Sequence, residues 1–492
     1  MMKNYLMYLS VALFVAMGAV MTSCSNDDDD NTSDFVDPYK TAWEGKTAKY
    51  TIMFYGCGGG DVDGQLTDAI PYLMQCLKEK GNQVRFVVMY SMSKDDSRYR
   101  QEQKTNKPIN PDYGEWGNTY RYEVTPYLTK ENYENGFYKK ASEVKLYEVE
   151  TIKEFINWAK KTAPAENYIL MPTNHGGGYD LDMEELAETT RAIGYDDNHA
   201  QKGIPTKAFA QALKETNTHL KAIYWNGCLM GQLEVMTEMA PYCDYQFCGA
   251  HVQYALPRHV YGIVDALNEH PDNFEDAARR QRDILDGPLV EGNPSFSDVL
   301  ISEKTAENTL LDSNGDYGCW RCAGLATINA QIKRLADVVV KGYADDDTRA
   351  KINIATSSVY MFTKDDPYVD ALDYAGHINN NLMTEETLDI FSSLAQAFSD
   401  AAVYQIGRMN RKVVDVNGET VLNKWPATNR YSLGISIYTY IDPTWVEYNR
   451  VYKASAFDKA TGWSKFLDMN LQKLDANINP ANESNVIPFW MD

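Results

Sequence analysis

Two stretches decide how this chain folds: Tyr168-Ile169-Leu170-Met171-Pro172-Thr173-Asn174-His175-Gly176-Gly177-Gly178 and Ala222-Ile223-Tyr224-Trp225-Asn226-Gly227-Cys228-Leu229-Met230-Gly231. Each is a short apolar run that ends in a reactive side chain and a glycine. Such runs suit strands buried on both faces, as in a parallel sheet. In an open α/β sheet both would deliver their last residues to the carboxyl edge of the strands, where sites form. A His and a Cys placed there can share one proton. The imidazole takes it from the thiol and later gives it to a leaving amine.

The alternation of strand and helix continues on both sides. Ala48 to Tyr55 is an apolar, aromatic first strand that ends in Gly56-Cys57-Gly58-Gly59-Gly60-Asp61. Leu66, Ile70, Leu73 and Leu77 follow at helical spacing. Residues 83–90 form a second strand with a continuous apolar centre. Residues 92–145 are a polar, aromatic excursion with an edge strand over Thr119 to Val124. Ile152, Phe155, Ile156 and Trp158 mark an amphipathic helix just before the His strand.

Between the two stretches, residues 179–205 are acidic and poor in aliphatic side chains, as in a mobile loop. Thr206 is placed to cap a helix over 207–215. Leu229 to Ala240 suits a helix with Cys228 near its N-terminus, where the dipole favours a thiolate. A strand over Tyr245 to Ala250 and a loop around Pro257-Arg258-His259 come next. Helices dominate from about residue 270, notably 323–340 and 386–404, and Tyr431 to Tyr440 alternates as a strand. The pattern predicts an α/β fold with a largely parallel central sheet covered on both faces. A domain over 45–345 and an α+β region over 346–492 are expected.

Hydrophobic residues make up 44% of the 492 and charged residues 24%, which is a globular composition. The formal net charge of −22 argues against a nucleic-acid partner and favours cationic ones. At the N-terminus Lys3 precedes a mostly apolar run, and Met21-Thr22-Ser23-Cys24 resembles a bacterial lipobox. Residues 1–24 are then a lipoprotein signal peptide, with lipidation expected at Cys24. The tether over 25–44 opens with Asp27-Asp28-Asp29-Asp30, like the surface-export tags of some Gram-negative lipoproteins. The expected location is the outer membrane, facing outward, or otherwise the periplasm. Eight cysteines, at 24, 57, 76, 228, 243, 248, 319 and 322, are too sparse for a disulfide framework, and their pairing stays open.

The His and Cys stretches resemble the clostripain-like cysteine peptidases, family C11 of the caspase-like clan. The resemblance rests on Asn174-His175-Gly176-Gly177-Gly178 and Gly227-Cys228-Leu229-Met230-Gly231, and on the order of His before Cys. Weaker likeness reaches out to Tyr50–Tyr55, to 148–161, to Asp370–Ala375 and to Leu433–Tyr438. It implies a caspase-like α/β/α sandwich with a C-terminal α+β extension, acting on protein or peptide substrates. By that likeness His175 is the general base and acid, Cys228 the nucleophile, and the Gly176 and Cys228 N–H groups the oxyanion donors. A monomer is expected.

One position departs from the family. Asn226 stands where the family has Asp, at the floor of the pocket for an Arg or Lys side chain. An amide cannot make the charge-assisted bidentate pair that a guanidinium wants, so a shifted preference at the residue before the cut (P1) is expected. Family members are often cut between the His and the Cys, which makes Arg191-Ala192 the candidate processing site and Lys202-Gly203 a lesser one. Among rivals, Cys57 also ends a strand beside glycines, and Cys319-Trp320-Arg321-Cys322 with Cys243 and Cys248 could hold zinc, though local disulfides or free thiols suit the loose spacing better. No cofactor is required by the sequence; calcium, used by some relatives, could take Asp61, Asp63, Asp196 and Asp197. The alternative function is a non-catalytic, surface-exposed binding lipoprotein on the same fold; a thiol-dependent amidase or transpeptidase would share the site.

Overall fold

The computed structural model describes residues 36–57, 65–80, 83–93, 113–179, 193–200, 202–251, 253, 257–285, 287, 315–359, 368–414, 420–426, 435–439 and 451–471. Cys24, the acidic tract, the glycines after Cys57, Asp61, Asp63, Arg191 and Ala192 lie outside the described residues. The chain divides between Ala42 and Trp43. That division falls before the last residue of the helix Pro38–Trp43, ahead of which the Asp37 carboxylate accepts the Tyr39 N–H at 2.9 Å.

In the main unit the strands are β1 (Ala48–Cys57), β2 (Val84–Ser91), β3 (Asn118–Val124), β4 (Phe137–Lys140), β5 (Ala165–Thr173), β6 (Ile193–Asp196), β7 (Lys202–Ile204), β8 (Leu220–Tyr224), β9 (Cys243–Cys248), β10 (Gly315–Arg321), β11 (Tyr368–Asp370), β12 (Ala402–Val414), β13 (Thr420–Pro426) and β14 (Ser436–Tyr438). Ten of them form one sheet in the order β13-β12-β10-β9-β8-β5-β1-β2-β3-β4. The middle block β2-β1-β5-β8-β9 is parallel, as the continuous apolar runs predict. The strands flanking it on both sides are antiparallel.

Period-two alternation sends side chains into two helical layers. Met53, Tyr55, Leu170 and Ile223 point to one side, into a core with Ile152, Phe155 and Phe209. Tyr224 and Phe247 point to the other, against His259 of the helix Pro257–Glu269 and Phe274 of the helix Phe274–Leu285. The result is a three-layer sandwich.

Several sequence expectations change. β3 is not an edge, because β4 covers it. Its Glu123 is buried and forms a bidentate pair with Arg85 of β2 at 2.6 and 2.7 Å, so a charged residue fits an inner strand. Removing one partner would strand the other charge, at a cost of about 3–5 kcal/mol. Within the expected loop, Ile193–Asp196 and Lys202–Ile204 pair as the hairpin β6–β7. Thr206 lies inside its helix, which Pro205 precedes as the cap position. Pro257 opens a helix in place of the expected loop; its missing N–H costs nothing at a first-turn position.

Described residues beyond 345 contribute to the sheet and the core. β12 and β13 extend the same sheet past β10. β14 pairs with β11 and reaches Gln232 by a parallel bridge. Glu234, in the helix Leu233–Met239, takes the Tyr438 N–H at 3.1 Å and the Tyr452 O–H at 2.8 Å on one carboxylate oxygen. Burial pushes the Glu234 carboxyl from 4.5 up to about 7. The folded state therefore holds this proton more tightly than the unfolded chain does. Stability from this group is fully present below about pH 4.5 and is lost as pH rises through about 7. Glu234→Gln keeps both acceptor bonds without the charge. Thermal unfolding of this variant should fall less between pH 5 and pH 8 than that of the wild type; equal falls would show that Glu234 is not the group responsible.

Candidate active site

β5 and β8 stay in register up to the site. The Pro172 carbonyl accepts the Asn226 N–H at 3.0 Å, and Thr173 bridges to Asn226. Asn226 is buried, and its Nδ2 donates to Thr173 Oγ1 at 3.0 Å. Beyond that bridge both strands break. Asn174 adopts φ 139°, in the left-handed region, and its side-chain oxygen accepts the His175 N–H. This bond lets a short polar residue hold a conformation that most residues avoid.

Gly176 brings the two loops into contact. A Cβ on it would overlap the Cys228 carbonyl oxygen and lie 2.7 Å from the Cys228 N. Only glycine allows this approach of backbone to backbone. His175 and Cys228, both half-buried, thus sit on two loops whose main chains touch. The hairpin β6–β7 fastens the His loop from outside: Gly194 N–H donates to the His175 carbonyl at 2.8 Å, and Ile193 bridges Gly176. Gly178, at φ 83°, lies so close to Gln232 that a Cβ would overlap its carboxamide. Gln232 is fully buried and accepts the Tyr179 N–H at 2.7 Å.

Cys228 is not at a helix N-terminus. Leu229 adopts φ 59°, which no helix continues through, and the helix starts only at Leu233. The expected dipole effect on the thiol is therefore absent, because it fades within the first turn. The Cys228 loop is instead held by the segment after β9. Gly231 N–H donates to the Gly249 carbonyl at 2.7 Å, and Leu229 N–H to the His251 carbonyl at 3.1 Å. The Gln253 N–H donates to Cys228 Sγ at 3.3 Å. These partners were not legible from the sequence, since Gln232 and Gln253 carry no motif. Only the glycines around Cys228 hinted at close backbone packing.

The rival cysteines are placed elsewhere. Cys243, Cys248 and Cys319 are buried, and burial pushes their thiols well up, against thiolate formation. Cys319 ends up on β10 and Cys322 on the turn after it, with Cys322 Sγ 3.5 Å from Cys243 Sγ and both thiols free. Among the described residues no three or more His, Cys, Asp or Glu side chains are placed to hold a metal. Asp196 is turned inward, to His199 Nδ1 at 2.8 Å and the Asn198 N–H at 3.0 Å, so it is committed within its own hairpin. Cys57 closes β1 opposite Ser91, with its side chain outside the described set.

A model of the clostripain family, Peptidase_C11, matches residues 127–470, which include both His175 and Cys228. Clostripain of Hathewaya histolytica is 24% identical over 394 residues, 74% of this chain and 72% of that protein. A secreted C11 cysteine protease from Bacteroides thetaiotaomicron, solved with an irreversible peptide inhibitor, shares the fold with TM-score 0.55 and 11% identity, over 85% of this chain and 99% of that one. An inactive zymogen C11 protease from Parabacteroides distasonis does so with TM-score 0.50 and 15% identity, over 85% and 99%. The chain belongs to the clostripain family of cysteine peptidases.

Proposed function

We propose that the protein is an endopeptidase in which His175 and Cys228 form the catalytic dyad. The observation that carries this reading is the seating of Gly176 directly on the Cys228 backbone. The His175 imidazole takes the Sγ proton, and the thiolate attacks the scissile carbonyl carbon. A C–S bond forms, and the Gly176 and Cys228 N–H groups receive the oxyanion. Collapse breaks the C–N bond, and the amine leaves with the proton from His175. Water, deprotonated by His175, then hydrolyses the thioester and restores the thiol. A thiol-directed probe should label wild type at neutral pH and leave Cys228→Ala unlabelled. Equal labelling of both would sink the dyad.

The preference at P1 is proposed to lie away from Arg and Lys, since Asn226 offers an amide already bonded to Thr173. The protein is further proposed to be lipid-anchored through Cys24 in the outer membrane, on the strength of the lipobox and acidic tract. Cleavage at Arg191-Ala192 by another protease is the proposed processing step. Intact-mass analysis of the membrane-extracted protein should give a chain starting at lipidated Cys24, with a second N-terminus at Ala192. An unmodified chain starting at Met1, or a single uncut chain, contradicts the anchor or the processing respectively.

A further inference from the structure

Asp316, on β10, lies two strands away from Cys228 and is buried. Its carboxylate oxygens accept two successive backbone donors, Ala250 N–H at 3.1 Å and His251 N–H at 2.7 Å. Its main-chain carbonyl takes the Gln253 side-chain Nε2. Asp316 thus grips the stretch after β9 at three described residues, Ala250, His251 and Gln253. That segment grips the Cys228 loop in turn, through the carbonyls of Gly249 and His251.

At the end of this chain of contacts stands the Gln253 N–H, 3.3 Å from Cys228 Sγ; the thiol also faces the Gln253 carbonyl at 3.6 Å. A backbone N–H aimed at sulfur favours the thiolate, as hydrogen bonding to a charged form does. The helix that follows Cys228 starts only at Leu233, too far along the chain to do this work. We propose that Asp316 is a positioning residue for the nucleophile, holding Ala250, His251 and Gln253 so that the Gln253 N–H stabilises the Cys228 thiolate.

The chemistry of Asp316 fits the role. Two backbone donors on one carboxylate make charge-assisted bonds. An amide in its place keeps one acceptor and turns an N–H₂ toward a backbone donor. Burial raises the Asp316 carboxyl to about 7, against the lowering by its two backbone donors. Among the described residues, the titratable groups on the loops and helix around Cys228 include His175 and Tyr179 on the facing loop, His251 after β9, and Glu234 and Glu238 on the following helix. Burial lowers His251 to about 3, so it stays neutral near pH 7.

The inference rests on Cys228 being the nucleophile, and the experiment separates the two claims. Wild type, Asp316→Asn, Gln253→Pro and Cys228→Ala are compared by kcat, KM and the pH profile of Cys228 alkylation by iodoacetamide, followed by peptide mass spectrometry. Proline removes the N–H outright. In folded Asp316→Asn and Gln253→Pro the alkylation midpoint should move up by about one pH unit. Their kcat should fall about tenfold or more with KM within about twofold. Alkylation profiles that superimpose on wild type overturn the proposal, while Cys228→Ala that remains active overturns the dyad instead. If Asp316→Asn does not fold, Gln253→Pro decides alone.

Discussion

Cys228→Ala should lower kcat about ten-thousandfold or more, and His175→Ala nearly as far, since members of a catalytic unit fail together rather than additively. The double variant should be hardly worse than either single one. Both side chains are half-buried at loop ends, so their truncation leaves the sheet intact and thermal unfolding should move little. Steady-state hydrolysis of a casein-type or mixed peptide substrate, beside a melting curve, checks this. A Cys228→Ala enzyme with more than about a tenth of wild-type kcat would place the nucleophile elsewhere, with Cys57 the first alternative.

Asn226→Asp carries the second large effect. Asn226 Nδ2 now donates to Thr173 Oγ1 at 3.0 Å. A hydroxyl can reverse its role and donate to a carboxylate, so Asp fits this buried position without losing its partner. The new charge supplies what a guanidinium lacks here. In a positional peptide library, kcat/KM for Arg at P1 relative to neutral polar residues should rise about a hundredfold, or roughly 3 kcal/mol. The proposal fails if wild type already prefers Arg strongly, or if the substitution leaves the profile unchanged.

How much of this was legible beforehand depended on whether the signal was local. β1, β2, β5 and β8 were visible because a strand buried on both faces must be apolar throughout, and Ile52, Met53 and Phe54 or Ile169, Leu170 and Met171 leave no other reading. The helix at Ile152–Phe155–Ile156 was visible by its spacing. β10, β12 and β13 were not, since their place depends on docking against strands far away in sequence. The helix drawn back to Leu229 failed because Leu229 takes a left-handed φ that its side chain does not announce. Asn174, by contrast, is a residue type that tolerates such a conformation, and it marks the turn that presents His175. Glu123 and Glu234 are both buried, one paired with a bidentate Arg85 and the other holding two donors from the C-terminal region, and no local pattern marks either partner. Asp316 and Gln253 show the limit most plainly: their importance lies in contacts that span the sheet.

The claim at the centre is that His175 and Cys228 form one catalytic unit, with the sulfur of Cys228 as the acyl carrier. The measurement that tests it most directly is acid-quench trapping of the intermediate from a slowly deacylated peptide ester, followed by peptide mass mapping. The acyl mass should appear on the peptide containing Cys228 in the wild type and disappear in Cys228→Ala, and in His175→Ala it should accumulate far more slowly. An acyl mass on the peptide containing Cys57, or none on Cys228 during turnover, would contradict it.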